Sequence, residues 1–358
     1  MAGPDLLART AALVDIPSVS HHERAITDHL EATLRALDHL DVERVGANLV
    51  ARTHLGRATR VVLAGHTDTV PVNGNATARI EGEVLWGLGA ADMKGGLAVM
   101  VALAESVPDP AVDVTWVFYA AEEVQAEHNG LGHLLRDRPE LLAGDVAILG
   151  EPTNGEIEAG CQGTMRLDVT LHGMRAHTAR PWMGRNAIHR LGAVLRAVDG
   201  FVERRPVIDG CEYREALQAV AVSGGVAGNV VPDLATVTLN RRFAPDRSPA
   251  EAEAEVRAIL ASTLETDDVV TVVDMAPAAA PGLGHPLLRA LIDDHDLPVR
   301  AKLGWTDVAR FAGAGIPACN LGPGDPTLAH TADEHVERAS LDRTYAVLRS
   351  VLRGSRTG

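Results

Sequence analysis

Short, almost purely apolar runs alternate along the chain with segments that carry apolar residues at helical spacing. The first run covers residues 60–65, the second 112–120 and the third 145–150. A segment with helical periodicity, 93–105, separates the first two runs. Continuous apolar runs that alternate with helices are typical of a largely parallel sheet covered on both faces. The pattern therefore predicts an α/β fold for this part of the chain.

The pattern changes near residue 163, where apolar and polar residues begin to alternate. Alternation over 164–172 is typical of a strand with one buried face. The following segments predict, in order, helix 186–201, strands 218–223 and 234–243, helix 248–263 and strand 269–273. This βαββαβ order is that of a small ferredoxin-like α+β domain. We expect an α/β domain at 1–161 and 276–358, interrupted by an inserted α+β domain at 162–275.

Composition and charge narrow the possible functions. The chain has 358 residues, enough for two domains, with 33 Lys and Arg against 48 Asp and Glu and a net charge of −15. Because an acidic chain binds polyanions poorly, we expect neither nucleic acid nor an anionic membrane surface as a partner. The three widely spaced cysteines argue against a disulfide framework or a thiolate zinc site. With no signal-peptide pattern and no run long enough to span a bilayer, we expect a cytoplasmic protein.

Imidazole and carboxylate residues follow each of the three apolar runs. His66 and Asp68 follow the first run, Glu122 and Glu123 the second, and Glu151 the third. Ligands of open α/β sheets bind at the carboxyl ends of the strands, so we expect these side chains at one edge. A lone histidine or glutamate there is more often a surface or capping residue, but the joint pattern is typical of a metal site. The adjacent pair Glu122-Glu123 is costly unless a cation or a shared proton relieves it.

Two more residues fit this pattern. Asp92 lies between glycines at the head of the helical segment, and His330 lies in a late loop. Asp92 alone could instead be a helix N-cap. His66 and Asp68 are two residues apart, so in an extended segment they point to the same side. Asp68 could then accept the second ring N–H of a metal-bound His66, or it could cap the following turn.

Other catalytic motifs do not fit. The glycines at 87 and 89 lack the third glycine of a dinucleotide-binding fingerprint, and the sequence has no Walker A loop and no GxSxG elbow. The segment His21-His22-Glu23 is not an HExxH motif, and we interpret it as a solvated loop.

Several motifs together resemble the two-zinc aminoacylase/carboxypeptidase family of amidohydrolases. They are, in chain order, GHTDTVP (65–71), GLGAADMKGG (87–96), AEE (121–123), GEPT (150–153) and AHT (329–331), with GCQGT (160–164), RAHTARPW (175–182) and NVVPD (229–233) as supporting segments. The resemblance covers residues 6–352. It implies a zinc-peptidase-like catalytic domain with a mixed sheet, interrupted by the ferredoxin-like domain, and a homodimer formed through that inserted domain.

The resemblance also implies a metal role for five of the candidates. Asp92 would bridge two Zn²⁺ ions per subunit. His66 and Glu151 would complete one site, and Glu123 and His330 the other. Nitrogen and oxygen donors without a thiolate suit zinc in an open catalytic site, although Co²⁺ or Mn²⁺ could substitute.

Further residues would act on the substrate. By resemblance, Glu122 would be the general base, and His177 would reach the partner subunit's active site and stabilise the oxyanion. Asn229 and Arg242 match positions that contact the substrate. The peptide bond that follows Asp92 is expected to be cis.

The implied reaction is hydrolysis of an amide. Two metals bridged by a carboxylate lower the pKa of a shared water and polarise the carbonyl, while a general base takes the water's proton and passes it to the leaving amine. The resemblance favours N-succinyl-L,L-2,6-diaminopimelate, an intermediate of lysine and diaminopimelate biosynthesis, cleaved to succinate and L,L-diaminopimelate. The alternatives are N-acetylornithine, another N-acyl amino acid or a peptide, and, in a different class, an inactive binding homologue. Arg175, Arg180, Arg185 and Arg242 are candidates to hold a substrate carboxylate, and each could equally be a surface residue.

Overall fold

The computed structural model describes residues 3–354, so residues 1–2 and 355–358 of the expected catalytic domain lie outside the described residues. Within 3–354 the α-helices are α1 Leu6–Val14, α2 Arg24–Arg35, α3 Gly95–Ser106, α4 Gly130–Asp137, α5 Pro139–Leu142, α6 Ala187–Asp199, α7 Pro249–Leu260, α8 Pro286–His295, α9 Val308–Gly313 and α10 Arg338–Arg353. In this part of the chain, no helix combines the length and the apolar character needed to cross a membrane.

The strands of the same residues are β1 Asp41–Val45, β2 Asn48–Arg52, β3 Arg60–His66, β4 Arg79–Glu81, β5 Val84–Trp86, β6 Asp113–Tyr119, β7 Val146–Leu149, β8 Ile157–Ala159, β9 Gly163–His172, β10 Ala176–His177, β11 Val207–Ile208, β12 Cys211–Glu212, β13 Ala216–Gly224, β14 Val230–Val231, β15 Leu234–Phe243, β16 Val269–Ala276, β17 Val299–Ala301, β18 Ala318–Asn320 and β19 His335–Glu337. The described chain divides into two compact units. The first comprises 3–160, 281–300 and 307–354, and the second comprises 161–280 and 301–306.

The first unit is built on an eight-stranded mixed sheet in the order β1-β2-β6-β3-β7-β18-β8-β17. Strands β6, β3, β7 and β18 run parallel to one another. The pairs β1–β2, β2–β6 and β18–β8 are antiparallel. The three apolar runs of the sequence are therefore three adjacent parallel strands. This confirms the predicted α/β fold with a mixed sheet.

Helix α3 lies in the interior of the first unit. Residues 95–104 are all buried, and the helix contacts α1, α10 and β3. A helix that is apolar on all sides is expected in such a position. Gly96 permits a close approach, since a Cβ at this position would lie 2.2 Å from the carbonyl oxygen of Gly150, just after β7. The start of α3 therefore packs directly against a strand end of the parallel sheet.

A small antiparallel sheet in the order β19-β5-β4 joins distant parts of the first unit. Strand β19 pairs with β5 so that His335 lies opposite Trp86. The rings of these two residues pack with their centroids 4.2 Å apart. This pairing holds the chain that leads into Asp92 beside the chain that follows His330.

The second unit contains a four-stranded antiparallel sheet in the order β13-β15-β9-β16. Helix α6 connects β9 to β13, and α7 connects β15 to β16, so the long elements follow the βαββαβ order. Alternate residues of β9 are buried and pack with apolar residues of α6, α7 and β15 in one core: Met165, Leu167, Val169, Leu171, Leu191, Val194, Val237, Leu239 and Val256. Helix α6 ends at Asp199, two residues before the end of the predicted helix, and Gly200 caps it.

Candidate metal centre

The four central parallel strands of the first unit end at the same edge of the sheet, because parallel strands share a carboxyl edge. His66 is the last residue of β3, Glu122 and Glu123 follow β6, and Glu151 follows β7. The fourth strand, β18, leads into the loop of His330. Three groups have ligand atoms within 4.8 Å of one another: His66, Asp92 and Glu151; Asp92, Glu123 and His330; and His66, Glu122 and Glu123.

The Asp92 carboxylate lies between the two imidazoles. Its Oδ1 is 3.1 Å from Nε2 of His66, and its Oδ2 is 3.4 Å from Nε2 of His330. Nε2 of His330 is also 2.9 Å from Oε1 of Glu123. An aspartate that turns one oxygen toward each of two ligand groups is suited to bridge two cations. The donors of both groups are nitrogen and oxygen, which fits Zn²⁺.

The backbone at Asp92 departs from the predicted helix. Asp92 and Met93 have non-helical backbone angles, and the peptide bond between them is cis, as the family resemblance implied. Helix α3 starts at Gly95, so the prediction of a helix from residue 93 was wrong at this end. Apolar periodicity reports which side chains are buried, and Met93 is buried although its backbone is not helical.

Neighbouring charges and burial shift the pKa values of the residues in this cluster. Burial would lower the pKa of His66, but its carboxylate neighbours, led by Asp68 and Asp92, raise it well above the usual range. Hydrogen bonds with Asp92 and Glu123 raise the pKa of His330 to about 10. Burial raises the pKa of Glu122 well above its usual value, and this is the direction expected of a base that works near neutral pH.

Two buried carboxylates hold the loop that carries Glu122 and Glu123. The backbone N–H groups of these residues donate to Oδ1 and Oδ2 of Asp68, each at 3.0 Å. The N–H of Ala121, whose φ is +58°, donates to Oε1 of Glu23 at 3.2 Å. Burial would raise the pKa of Asp68, but hydrogen bonds, first of all with His66, lower it to about 2. Three successive amides are thus fixed by carboxylates from other parts of the chain.

The second ring nitrogen of His66 faces both the backbone and the carboxylate of Asp68. Nδ1 of His66 is 3.0 Å from the backbone oxygen of Asp68 and 3.4 Å from its Oδ1. The nearer acceptor is therefore the carbonyl oxygen. A hydrogen bond to this oxygen requires a proton on Nδ1, and Nε2 then faces Asp92. The carboxylate also binds amides after β6, a neighbouring strand that residue spacing could not identify.

The sequence interpretation missed three buried charged residues. Glu23 was expected in a solvated loop, which is wrong, since only 4% of it is exposed. Glu334 is 1% exposed, and burial raises its pKa to about 7. Lys94 is 2% exposed, and its Nζ donates to the backbone oxygen of Ile16 at 2.8 Å. Burial lowers the pKa of Lys94 to about 8. Two signals in the sequence could have pointed to these residues. Lys94 is a charged residue inside the glycine-rich motif, and Glu334 lies four positions after His330.

The remaining candidates lie in the second unit. His177 is exposed on β10, where its Nδ1 accepts the N–H of Ala179 at 3.0 Å. The backbone oxygen of Asn229 accepts the N–H of Thr178 at 3.0 Å. Arg242 lies on β15 and is partly buried, and this burial lowers the pKa of its guanidinium. Among residues 3–354 no carboxylate forms an ion pair with Arg242.

Two of the other candidate arginines already have carboxylate partners. Arg175 pairs with Asp233 at 2.8 Å, and Arg185 pairs with Glu265. Arg180 is exposed on the loop that carries His177. Arg242 is therefore the candidate that combines burial with the absence of an ion-pair partner in the described part of the chain.

The chain matches the peptidase family M20/M25/M40 over residues 62–354. It belongs to this family. This match confirms the family resemblance that the sequence motifs indicated. A succinyl-diaminopimelate desuccinylase from Corynebacterium glutamicum is 46% identical over 358 residues, which cover 97% of this chain and 96% of that protein. A Mycobacterium tuberculosis protein with the provisional name succinyl-diaminopimelate desuccinylase DapE is 52% identical over 351 residues, 98% of each chain.

Solved structures of the family share the fold. A tripeptidase from Staphylococcus aureus superposes with a TM-score of 0.80 at 21% identity and covers 97% of both chains. A dinuclear metal-binding M20 peptidase from Bacillus subtilis has a TM-score of 0.70 at 14% identity, over 97% of this chain and 96% of that one. At these identities the likeness establishes the fold.

Proposed function

We propose that this M20-family chain hydrolyses the amide bond of N-succinyl-L,L-2,6-diaminopimelate, giving succinate and L,L-diaminopimelate. The observation that carries the proposal is the Asp92 carboxylate, which turns one oxygen toward His66 and the other toward His330. Glu151 and Glu123 belong to the two ligand groups that share Asp92. The names of relatives at 46% and 52% identity support the choice of substrate.

In this proposal two divalent metal ions occupy the centre. His66, Asp92 and Glu151 would hold one ion, and Glu123 and His330 would hold the other together with Asp92. The convergence of three carboxylates supports this, because their mutual repulsion is relieved by cations. The donor set favours Zn²⁺, with Co²⁺ or Mn²⁺ as substitutes. When bound, the ions lower the pKa of a water molecule and polarise the amide carbonyl.

Glu122 is the proposed general base. It lies outside the two ligand groups that share Asp92, so its carboxylate can take a proton from water. The oxygen of that water adds to the amide carbonyl carbon, and as the C–N bond breaks, Glu122 passes the proton to the nitrogen of the leaving diaminopimelate while the acyl group leaves as succinate. Asp68 supports this role by binding the amides of Glu122 and Glu123. Glu122 also occurs in a third group, with His66 and Glu123, so the proposed role as a base requires that removal of Glu122 leave the metal content unchanged.

Arg242 is the proposed partner of the succinyl carboxylate, with Asn229 as a second substrate contact. A partly buried guanidinium without a carboxylate partner is costly, and a substrate anion would offset that cost. An acetyl group has no such anion. The site should therefore favour succinyl over acetyl substrates.

We further propose a cytoplasmic homodimer that forms through the second unit, in which His177 acts at the partner subunit's active site. Strand β13 is an edge of the four-stranded sheet, and its residues 218–224 are all exposed. An exposed edge strand that carries valines is a template for pairing with another chain. The cytoplasm is supported by three buried cysteines, Cys161, Cys211 and Cys319, that form no disulfide within the described chain.

A substrate panel on metal-free and reconstituted protein tests the function. The protein is stripped with a chelator, reloaded with Zn²⁺, Co²⁺ or Mn²⁺, and assayed with N-succinyl-L,L-diaminopimelate, N-acetylornithine and simple N-acyl amino acids. We expect activity to disappear with the metal, to return on reloading, and to be fastest with the succinyl substrate. Activity that survives complete metal removal would overturn the metal proposal. Equal or faster turnover of N-acetylornithine would overturn the substrate assignment.

A further inference from the structure

We propose that Glu334 is a positioning residue that fixes Asp92 and the loop of His330 relative to each other. This inference rests on the proposed metal centre, in which both Asp92 and His330 are ligands. Glu334 is 1% exposed and belongs to none of the three candidate ligand groups. A buried carboxylate beside a ligand needs a structural reason, because burial of an unsatisfied charge is costly.

The side chain of Glu334 binds the backbone at Asp92. Its Oε1 accepts the N–H of Ala91 and the N–H of Asp92, each at 3.0 Å. Both donors lie in the kinked turn of residues 90–94 before α3, in which Asp92 and Met93 have non-helical backbone angles. One oxygen atom therefore sets the orientation of the peptide that carries the bridging carboxylate.

The backbone of Glu334 binds the chain just before this turn. Its carbonyl oxygen accepts the N–H of Gly87 at 3.0 Å, which continues the pairing of β19 with β5. Between His330 and Glu334, the backbone oxygen of Thr331 accepts a hydrogen bond from Nδ2 of Asn75 at 3.1 Å. Glu334 thus joins the segment that ends in Asp92 to the segment that begins with His330.

The need for this anchor follows from the exposure of His330. Its side chain is 52% exposed, so solvent surrounds about half of it and the position of the ring depends on the backbone of its loop. The distances of 3.4 Å to Asp92 and 2.9 Å to Glu123 depend on how the loop is held at its far end. Partners that orient metal ligands typically change metal affinity or activity by about 10–100-fold when they are removed.

Three variants separate positioning from general stability. Glu334→Ala removes the acceptor, Glu334→Gln keeps an oxygen that can accept both N–H groups, and Asp333→Ala changes an exposed neighbour as a matched control. The metal-free proteins are titrated with Co²⁺, and binding is followed by visible absorption, which reports ligand geometry. Thermal unfolding of the metal-free proteins is measured in parallel.

We expect Glu334→Ala to weaken Co²⁺ binding by about 10–100-fold and to alter the spectrum, and we expect Glu334→Gln to restore most of both. Asp333→Ala should match the parent. If Glu334→Ala unfolds at a lower temperature but binds Co²⁺ with the parent's affinity and spectrum, Glu334 is only structural and the inference is wrong. If the parent itself binds no Co²⁺, the proposed metal centre fails instead, which is a different result.

Discussion

At the scale of single residues, the carboxylates at the edge of the parallel sheet differ in what they contact. Asp92, Glu123 and Glu151 face imidazoles or each other within ligand distance. Asp68 and Glu23 accept backbone N–H groups of the loop that follows β6. The first kind can hold cations, and the second kind fixes the loop on which the first depends.

Glu122 and Glu123 are adjacent, yet we expect different effects from their removal. Glu122→Ala should lower kcat by about 10²–10⁴-fold, since it removes proton transfer, and should leave the metal content near that of the parent. Glu123→Ala should reduce the metal content because it removes a ligand. Steady-state kinetics combined with elemental analysis of each variant measures both effects. If the two phenotypes are exchanged, the roles of the pair are exchanged as well.

Arg242 should control the choice of acyl group. Arg242→Ala should lower kcat/KM for N-succinyl-L,L-diaminopimelate by about 30-fold or more, since loss of one partner of a buried charge pair costs at least about 2 kcal/mol. Any slow turnover of N-acetylornithine should change far less, because that acyl group has no carboxylate. The matched control is Arg175→Ala, since Arg175 already pairs with Asp233. Equal losses of kcat/KM on both substrates in the Arg242 variant would show that Arg242 does not bind the succinyl carboxylate.

At the scale of elements, strand β15 joins the core of the second unit to a buried ionic cluster. Arg241 is 0% exposed, and its Nη2 lies 2.6 Å from Oε2 of Glu215 and 2.5 Å from Oε2 of Glu255. Glu215 also accepts a hydrogen bond from Arg204 at 2.7 Å. The cluster therefore ties β15 to α7 and to the segment before β13.

Glu215→Gln should destabilise the second unit by about 1.5–3 kcal/mol, because it removes the charge from the hydrogen bonds with Arg204 and Arg241 while Glu255 still pairs with Arg241. Urea unfolding at pH 7, followed by circular dichroism, measures this loss. Glu253→Gln is the matched control, since Glu253 pairs with Arg257 on the exposed face of α7. That change should cost under about 0.5 kcal/mol. A loss no larger than that of the control would contradict the importance of the buried cluster.

The same cluster predicts a dependence of stability on pH. Burial would raise the pKa of Glu215, but hydrogen bonds with Arg204 and Arg241 outweigh it and hold the pKa below its usual value of 4.5. Ionised Glu215 therefore stabilises the fold above about pH 4.5, and this contribution is lost as the pH falls through the lower folded-state pKa. The acid-induced loss of unfolding free energy should be smaller in Glu215→Gln than in the parent. Identical acid slopes would exclude Glu215 as a contributor.

At the scale of the whole molecule, the proposed dimer can be tested at the edge strand. Val222 is 56% exposed on β13, so Val222→Lys should oppose pairing with a second chain and shift the protein toward the monomer. Val202→Lys is the control, since Val202 is 83% exposed outside the sheet. Size-exclusion chromatography with light scattering measures the mass. A parent protein that is already monomeric would overturn the dimer.

Active-site sharing requires a second test. Glu122→Ala and His177→Ala should each be inactive alone, and mixing them should restore part of the activity if His177 acts in the partner subunit. A mixed dimer then contains one intact site. Proven subunit exchange without any recovery of activity would refute sharing between subunits.

The sequence by itself determined the parallel core, the position of the candidate ligands and the family. Apolar runs at 60–65, 112–120 and 145–150 correspond to β3, β6 and β7, because buried parallel strands need apolar side chains on both faces. The carboxyl ends of such strands share an edge, so the residues that follow them converge. Strand β15 matches its predicted bounds, 234–243, because strict alternation fixes which face is buried.

The tertiary structure decided which charged groups are partners. Glu334 and Asp92 are 242 residues apart, and Asp68 meets the amide of Glu122 across 54 residues, so neither contact leaves a local pattern. Glu23 is buried although its neighbours His21 and His22 are exposed. This difference also depends on the packing of a distant loop. Periodicity records only the average environment of a face, whereas hydrogen bonds and ion pairs depend on the position of individual atoms brought together by the fold.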